Sequence, residues 1–261
     1  RRGHILMRIL AIASILAVAG AANADMTFHS LAGGNFSQDW ENTGLITAND
    51  NWSTVPSITG YLGDTGTATA NDPSAYLSPS LGAVDVIANQ TNPNTLTSGG
   101  VAEFQSSINA PFSPTIALQG SGTADNPGIV LFMDATGRTN VNLRFDLVDI
   151  DGSADNSIQA IAVQYRVGGT GDFVNVTGGF VADATTGPSL FGNTTSMNLT
   201  EAAWAGASSL ELRIISANAA GNDEWVGIDN IVVTSQAVPE PASMIALGAG
   251  LLALARRRRS K

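Results

Sequence analysis

Carboxylates are the main chemistry this sequence offers. Asp149-Ile150-Asp151-Gly152-Ser153-Ala154-Asp155-Asn156 sets three acids at near-alternate positions around a glycine. Hard oxygen ligands on a tight loop are what calcium needs. The acid that an EF-hand carries at its twelfth position is missing, because Ala160 stands there. Asn222-Asp223-Glu224 with Asp229 makes a second cluster, and Asp39 and Glu41 flank Trp40 in a third. Asp149, Asp151 and Asp155, and Asp229 with Glu41 or Asp39, are the candidate ligands of a structural Ca2+. The other reading of these acids is a set of Asx-turns, in which Asp and Asn cap their own loops.

Other chemistry is poorly supplied. The chain has no cysteine and two histidines, of which only His29 lies beyond the N-terminal leader described below. Zinc sites of His and Cys are excluded, as are cysteine nucleophiles. No G-x-S-x-G elbow exists to hold a catalytic serine. Carboxylate catalysis, as in glycosidases, is the one enzymatic mechanism left. The chain has 22 acids; without Glu240, residues 25–237 hold 21 against Arg138, Arg144, Arg166 and Arg213, a net charge of −17. Such a surface repels phosphate backbones, so nucleic acid is not an expected partner.

The elements that must position these acids read as β-strands. Val141, Leu143, Phe145 and Leu147 alternate with polar residues, as do Ile161, Val163, Tyr165 and Val167, and Leu210, Leu212 and Ile214. Period two means half-buried strands. The apolar phase slips to Val148 and Ile150, where a bulge is expected. Gly168-Gly169-Thr170-Gly171 turns the chain back toward Phe173 and Val174. A final strand is expected from Trp225 to Thr234. The fold class is all-β: an antiparallel two-sheet β-sandwich, jelly-roll-like, running from Asp25 to Ala237. Without a disulfide, a chain of this length still buries a sufficient core.

Both ends carry address signals. Met7 reads as the initiator, Ile9 to Ala19 as an apolar h-region, and Ala22-Asn23-Ala24 as a cleavage site, so 7–24 is an expected signal peptide with a signal helix. Residues 238–261 run in a fixed order: Val238-Pro239-Glu240-Pro241, an uncharged stretch from Ala242 to Ala255, then Arg256, Arg257, Arg258 and Arg259. The prolines hold an extended tetrapeptide. A helix through the apolar stretch is roughly 21 Å long, short of a ~30 Å bilayer core unless the interface and snorkelling arginines complete it. This order resembles the PEP-CTERM sorting signal of Gram-negative bacteria. The resemblance implies an exosortase as partner, a short C-terminal membrane helix before processing, and transient anchoring in the inner membrane with the arginines cytoplasmic.

The body carries a second resemblance. Asp149 to Asn156, Val163 to Gly168, Phe180 to Pro188 and Gly221 to Ile231 are similar to an accessory β-sandwich domain. That domain precedes the catalytic part of large secreted nuclease and phosphatase proteins. The catalytic part itself has no counterpart here, since Thr234 leads almost directly into the tail. Ile228-Asp229 also resembles the calcium-holding strand of jelly-roll carbohydrate-binding modules. The expectation is therefore a non-catalytic protein of the cell surface or extracellular matrix, associated with exopolysaccharide. One alternative is a calcium-dependent carbohydrate-binding module, with Trp40, Trp52, Trp204, Trp225 and Tyr61 stacking on sugars. The other is a carboxylate-based hydrolase.

Overall fold

In a computed structural model, the described residues are 22–42, 44–66, 71–105, 114–150, 157–185, 194–221 and 223–239, with 248, 249, 251 and 256. They form two facing sheets. The first contains β1 (His29–Ser30), β3 (Ile58–Tyr61), β7 (Gly128–Asp134), β9 (Ile161–Val167), β10 (Val174–Val181) and β12 (Leu210–Ser216). Its order is β1-β7-β12-β9-β10, with β3 also on β7. The second contains β2 (Phe36–Gln38), β4 (Ile87–Gln90), β5 (Gly100–Phe104), β6 (Thr115–Gln119), β8 (Arg138–Asp149), β11 (Thr194–Thr200) and β13 (Val226–Ala237). Its order is β11-β8-β13-β6-β5-β4, with β2 also on β13. From β6 onward the chain passes repeatedly between the sheets, as a jelly-roll path does. The pairings are antiparallel except β1 with β7 and β4 with β5, which are parallel.

Strand alternation builds the core. Val141, Leu143, Phe145 and Leu147 of β8 are buried between the sheets, with Ile161 and Val163 of β9 and Leu210, Leu212 and Ile214 of β12. Tyr165 is half-buried and packs edge-on against Trp204. Full burial of each large aliphatic side chain is worth about 1.5–3 kcal/mol. The inward phase of β8 does not slip at Val148, because Asp149 keeps the buried parity. The bulge lies on the partner strand instead. Between the pairs Asp229–Asp146 and Val232–Arg144, β13 advances three residues while β8 advances two, with Asn230 at φ 52. The extra residue lets Ile228 and Ile231 both enter the core.

Loops cover both outer faces. Val148 and Ile150 pack outside the second sheet with Phe104 and Trp225, beneath the segment around Leu96. Residues 71–82 form a strap over the first sheet, packing Tyr76 on Ala162 and Ile215. The residues expected to form the signal peptide, before Ala22, and most of the tail lie outside the described residues.

Candidate functional site

The sequence-predicted acids fall into two separate places. Asp229 sits in β13 beside the bulge, 5% exposed, and its carboxylate accepts the Asn230 N–H at 2.7 Å. Burial pushes its pKa up to about 6, and the charges of Asp146, Glu41 and Asp39 add to the rise. The predicted partners Asp39 and Glu41 are therefore near Asp229. Asp146 joins them because it pairs with Asp229 across the ladder. Sequence reading missed Asp146; its alternation with Phe145 showed only that it faces outward. Each acid has local bonds: Asp39 accepts the Glu41 N–H at 3.2 Å, and Asp146 accepts the Ser196 hydroxyl at 2.6 Å and the Asn230 amide at 3.1 Å. Asp149 ends β8 in full burial opposite Val226, away from this group. Asp151 and Asp155 lie outside the described residues. Asp223 accepts the Ala219 N–H and Glu224 the Ser157 N–H, both as loop fasteners. Among the described residues, no three acids or histidines converge closely enough to hold a metal ion.

The predicted sugar-stacking aromatics are in the interior. Trp40, Trp52, Trp204 and Trp225 are at most 1% exposed and Tyr61 is 9% exposed. Trp52 donates to the Asp85 carbonyl and Trp225 to that of Leu96, each at 3.0 Å. A bare sequence does not distinguish a buried indole from an exposed one: Trp40, Trp52 and Trp204 pack in the main core, and Trp225 is buried outside the second sheet beneath Leu96. The aromatic side chain that does face solvent among the described residues is Phe180, 47% exposed.

Phe180 stands beside a break in the edge ladder. Asn175 pairs with Gln164 and Phe180 with Ala162, so four residues of β10 oppose Val163 alone. Gly178 takes φ +74 at the crest, a conformation a side chain resists, and Glu201 accepts the Thr177 N–H at 2.6 Å to hold the arch. The arch leaves a groove of about 250 Å³ lined by Ser74, Ala162, Asn175, Val176 and Phe180 among others. Asn175 is fixed at its wall: it accepts from Gln164 at 2.9 Å and donates to the Ser74 carbonyl at 2.9 Å.

Arg213 secures the strap that forms the other wall. It is 1% exposed and stacks 3.8 Å from the Phe173 ring centre. It donates to Gln164, to the Tyr76 carbonyl at 2.7 Å and to the Ser78 carbonyl at 3.1 Å. Burial pulls its pKa down to about 9. Its neighbour Arg166 pairs with Glu211 and also lies over the Phe173 ring, 4.5 Å from its centre. By alternation Arg213 reads as a solvated position; the strap buries it.

The tail leaves from an interior strand. β13 pairs with β8 as far as Ala237 opposite Arg138, and the Val238 N–H donates to the Gly137 carbonyl at 3.0 Å. Pro239 follows in solvent, while Glu240, Pro241, Arg257, Arg258 and Arg259 lie outside the described residues. Gly248, Ala249, Leu251 and Arg256 have helical backbone. Among the described residues no helix is long and apolar enough to cross a membrane. At the other end, Ala22 and Ala24 are exposed, and Asn23 between them bridges to Asn51.

Residues 237–259 match the PEP-CTERM protein-sorting motif. No curated protein matches the chain. Among solved structures, the K1 cleaved adhesin domain of Lys-gingipain from Porphyromonas gingivalis W83 aligns at TM-score 0.40 and 11% identity, over 78% of this chain and 99% of that one. A carbohydrate-binding module specific for non-crystalline cellulose, CBM28, aligns at TM-score 0.37 and 14% identity, over 57% and 98%. The enzymatically active domain of tailspike protein 4 of bacteriophage CBA120 aligns at TM-score 0.33 and 10% identity, over 53% of this chain. The chain spans only 18% of that tailspike's length. The expected likeness of the body to the accessory domain of secreted nucleases and phosphatases is not specifically shown by these structures. The motif at 237–259 marks the chain as an exported protein sorted in the cell envelope through an exosortase.

Proposed function

We propose that the protein is a non-catalytic component of the cell surface or extracellular matrix, held in or near exopolysaccharide after its tail is processed. The observation that carries this reading is the junction at Ala237: the sorting motif begins on the residue that ends a central strand of the sandwich. The body is thus delivered as a folded β-sandwich joined directly to its address. Support for a non-catalytic body comes from its bases. His29 bonds the Gly34 carbonyl and packs on Phe36, while Arg166 and Arg213 are engaged in holding loops. Before processing, the tail anchors the protein in the inner membrane with its arginines inside. Replacing Pro239, Glu240 and Pro241 with alanine is expected to leave the full chain in the inner-membrane fraction. Normal delivery of that variant would refute the sorting part of the reading.

A second reading, carbohydrate binding, is favoured by the groove at Phe180. An exposed ring beside a fixed amide is the pairing of flat apolar face and polar edge that a sugar ring needs. Among the described residues no carboxylate lines the groove, which favours binding over hydrolysis there. Phe180→Ala is expected to abolish retention on a polysaccharide column while leaving the melting temperature within about 2 °C, since the ring is half in solvent. Unchanged retention of a protein that binds would place the sugar elsewhere. A structural Ca2+ beside Asp229 also belongs to this proposal. The carboxylates of Asp229, Asp146, Asp39 and Glu41 do not converge on one point as they stand, so binding would require them to draw together, with Asp229 giving up a bond to Asn230, before they supplied hard oxygens.

A further inference from the structure

We propose that Ser235–Val238 is a clasp that peels from β8 before processing, and that the sorting enzyme takes up this freed segment as an extended strand. The inference rests on the sorting reading above. Its first ground is spacing. The last ladder bond, from Val238 to Gly137, lies one residue before Pro239. Peptides are commonly gripped in enzyme clefts as an added strand, which requires free backbone N–H and C=O groups. Next to the motif, those groups are engaged with β8.

The second ground is where the core stops. Ile231 and Val233 are fully buried, whereas Gln236, Ala237 and Val238 are exposed and Ser235 is half-buried. A second register irregularity, between Thr234 and Gln236, separates the two regions. On its other side β13 pairs with β6 only at 226–228 and with β2 only at 231–233. Among the described strands, β8 is therefore the one partner of 235–237.

The third ground is the fastening. Arg138 donates to the Ser235 hydroxyl at 2.9 Å and to its carbonyl at 3.0 Å, and Asn140 donates to Gln236 at 2.8 Å. These are polar bonds made in part-buried or exposed positions, and Gln236 and Ala237 themselves are exposed. Such a segment is the first part of a strand to open. Opening stops at Val233, which would have to leave the core. Four freed residues at ~3.4 Å each give about 14 Å of extended chain between the sandwich and Pro239.

A staple tests this. Thr139 and Gln236 are directly paired in the ladder. Facing residues of antiparallel strands lie ~4.5–5.5 Å apart at Cα, within disulfide range. The chain has no cysteine, so Thr139→Cys with Gln236→Cys can bridge only to each other. The full chain is expressed in a host that carries an exosortase, and loss of the Arg256–Lys261 end is followed by mass. The stapled protein is expected to be processed at least tenfold more slowly than a Thr139→Ser, Gln236→Ser control. The rate should recover in a host that cannot form disulfides. Arg138→Ala, which unfastens the clasp, should raise the initial rate about twofold or more. Equal processing of stapled and serine proteins would overturn the clasp and leave the sorting reading standing. A parent chain that never loses its arginine end would overturn both.

Discussion

Glu103→Gln is expected to stabilise the protein at pH 8 far more than at pH 5. Glu103 lies in β5, 1% exposed, and its described bond is one accepted from the Asn89 N–H at 3.2 Å. Among the described residues no cation offsets its burial, which pushes its pKa from 4.5 up to about 7. The folded state therefore holds the proton more tightly than the unfolded chain. Between about pH 4.5 and 7 the unfolded chain ionises first, so stability is lost as pH rises through that window. At ~1.4 kcal/mol for each tenfold in a proton equilibrium, the full rise corresponds to roughly 3 kcal/mol. Relaxation of the protein around the ionised group trims this to on the order of 2 kcal/mol. Glutamine keeps the acceptor and removes the charge. Its added N–H donors shift both melts alike, so the difference between the two pH values isolates the ionisation. Thermal melts should show the variant gaining roughly 4–8 °C more at pH 8 than at pH 5, on the scale of ~2–4 °C per kcal/mol. Asp85 and Asp229, both raised to about 6 by burial first, should make the parent lose stability over the same range. A parent that grows more stable from pH 5 to 8, or a variant whose effect is the same at both, would refute the reasoning.

Arg213→Leu should cost about 3 kcal/mol or more, because Gln164 and the Tyr76 and Ser78 carbonyls lose a charged donor in a buried place. Limited proteolysis should then cut within 71–82, and a strap as resistant as the parent's would count against its role as a tie. Gly63→Ala should lower the denaturant midpoint strongly, since its Cβ would stand 2.0 Å from the Asn126 carbonyl oxygen at φ +72. Calcium at a hundredfold excess over its Kd should add about 2.7 kcal/mol to the folded state, and magnesium much less. Equal melting in EDTA and millimolar calcium would leave Asp229 and its neighbours as acids coupled only by charge.

What the sequence determined alone was whatever local repetition encodes. Period two in Val141 to Leu147, Ile161 to Tyr165 and Leu210 to Ile214 gave strand identity and inward faces, because adjacent side chains of a strand point to opposite sides; Val167, at the end of β9, is exposed instead. The glycines at 168–171 gave the β9–β10 hairpin, and Pro239 to Arg259 gave the sorting address. Alternation tells which residues share a face and nothing about what lies against that face. Arg213 and Gln164 share the outward parity of β12 and β9, yet the strap at 71–82, more than 80 residues away in sequence, buries both. The same holds for Trp225 beneath Leu96. The meeting of Asp229 with Asp146, Asp39 and Glu41, the bulge on β13 rather than β8, and the end of the core at Val233 are also consequences of register between distant strands. A one-residue change in pairing moves every side chain to the opposite face, so only the assembled sheets decide which acids meet and where the tail comes free.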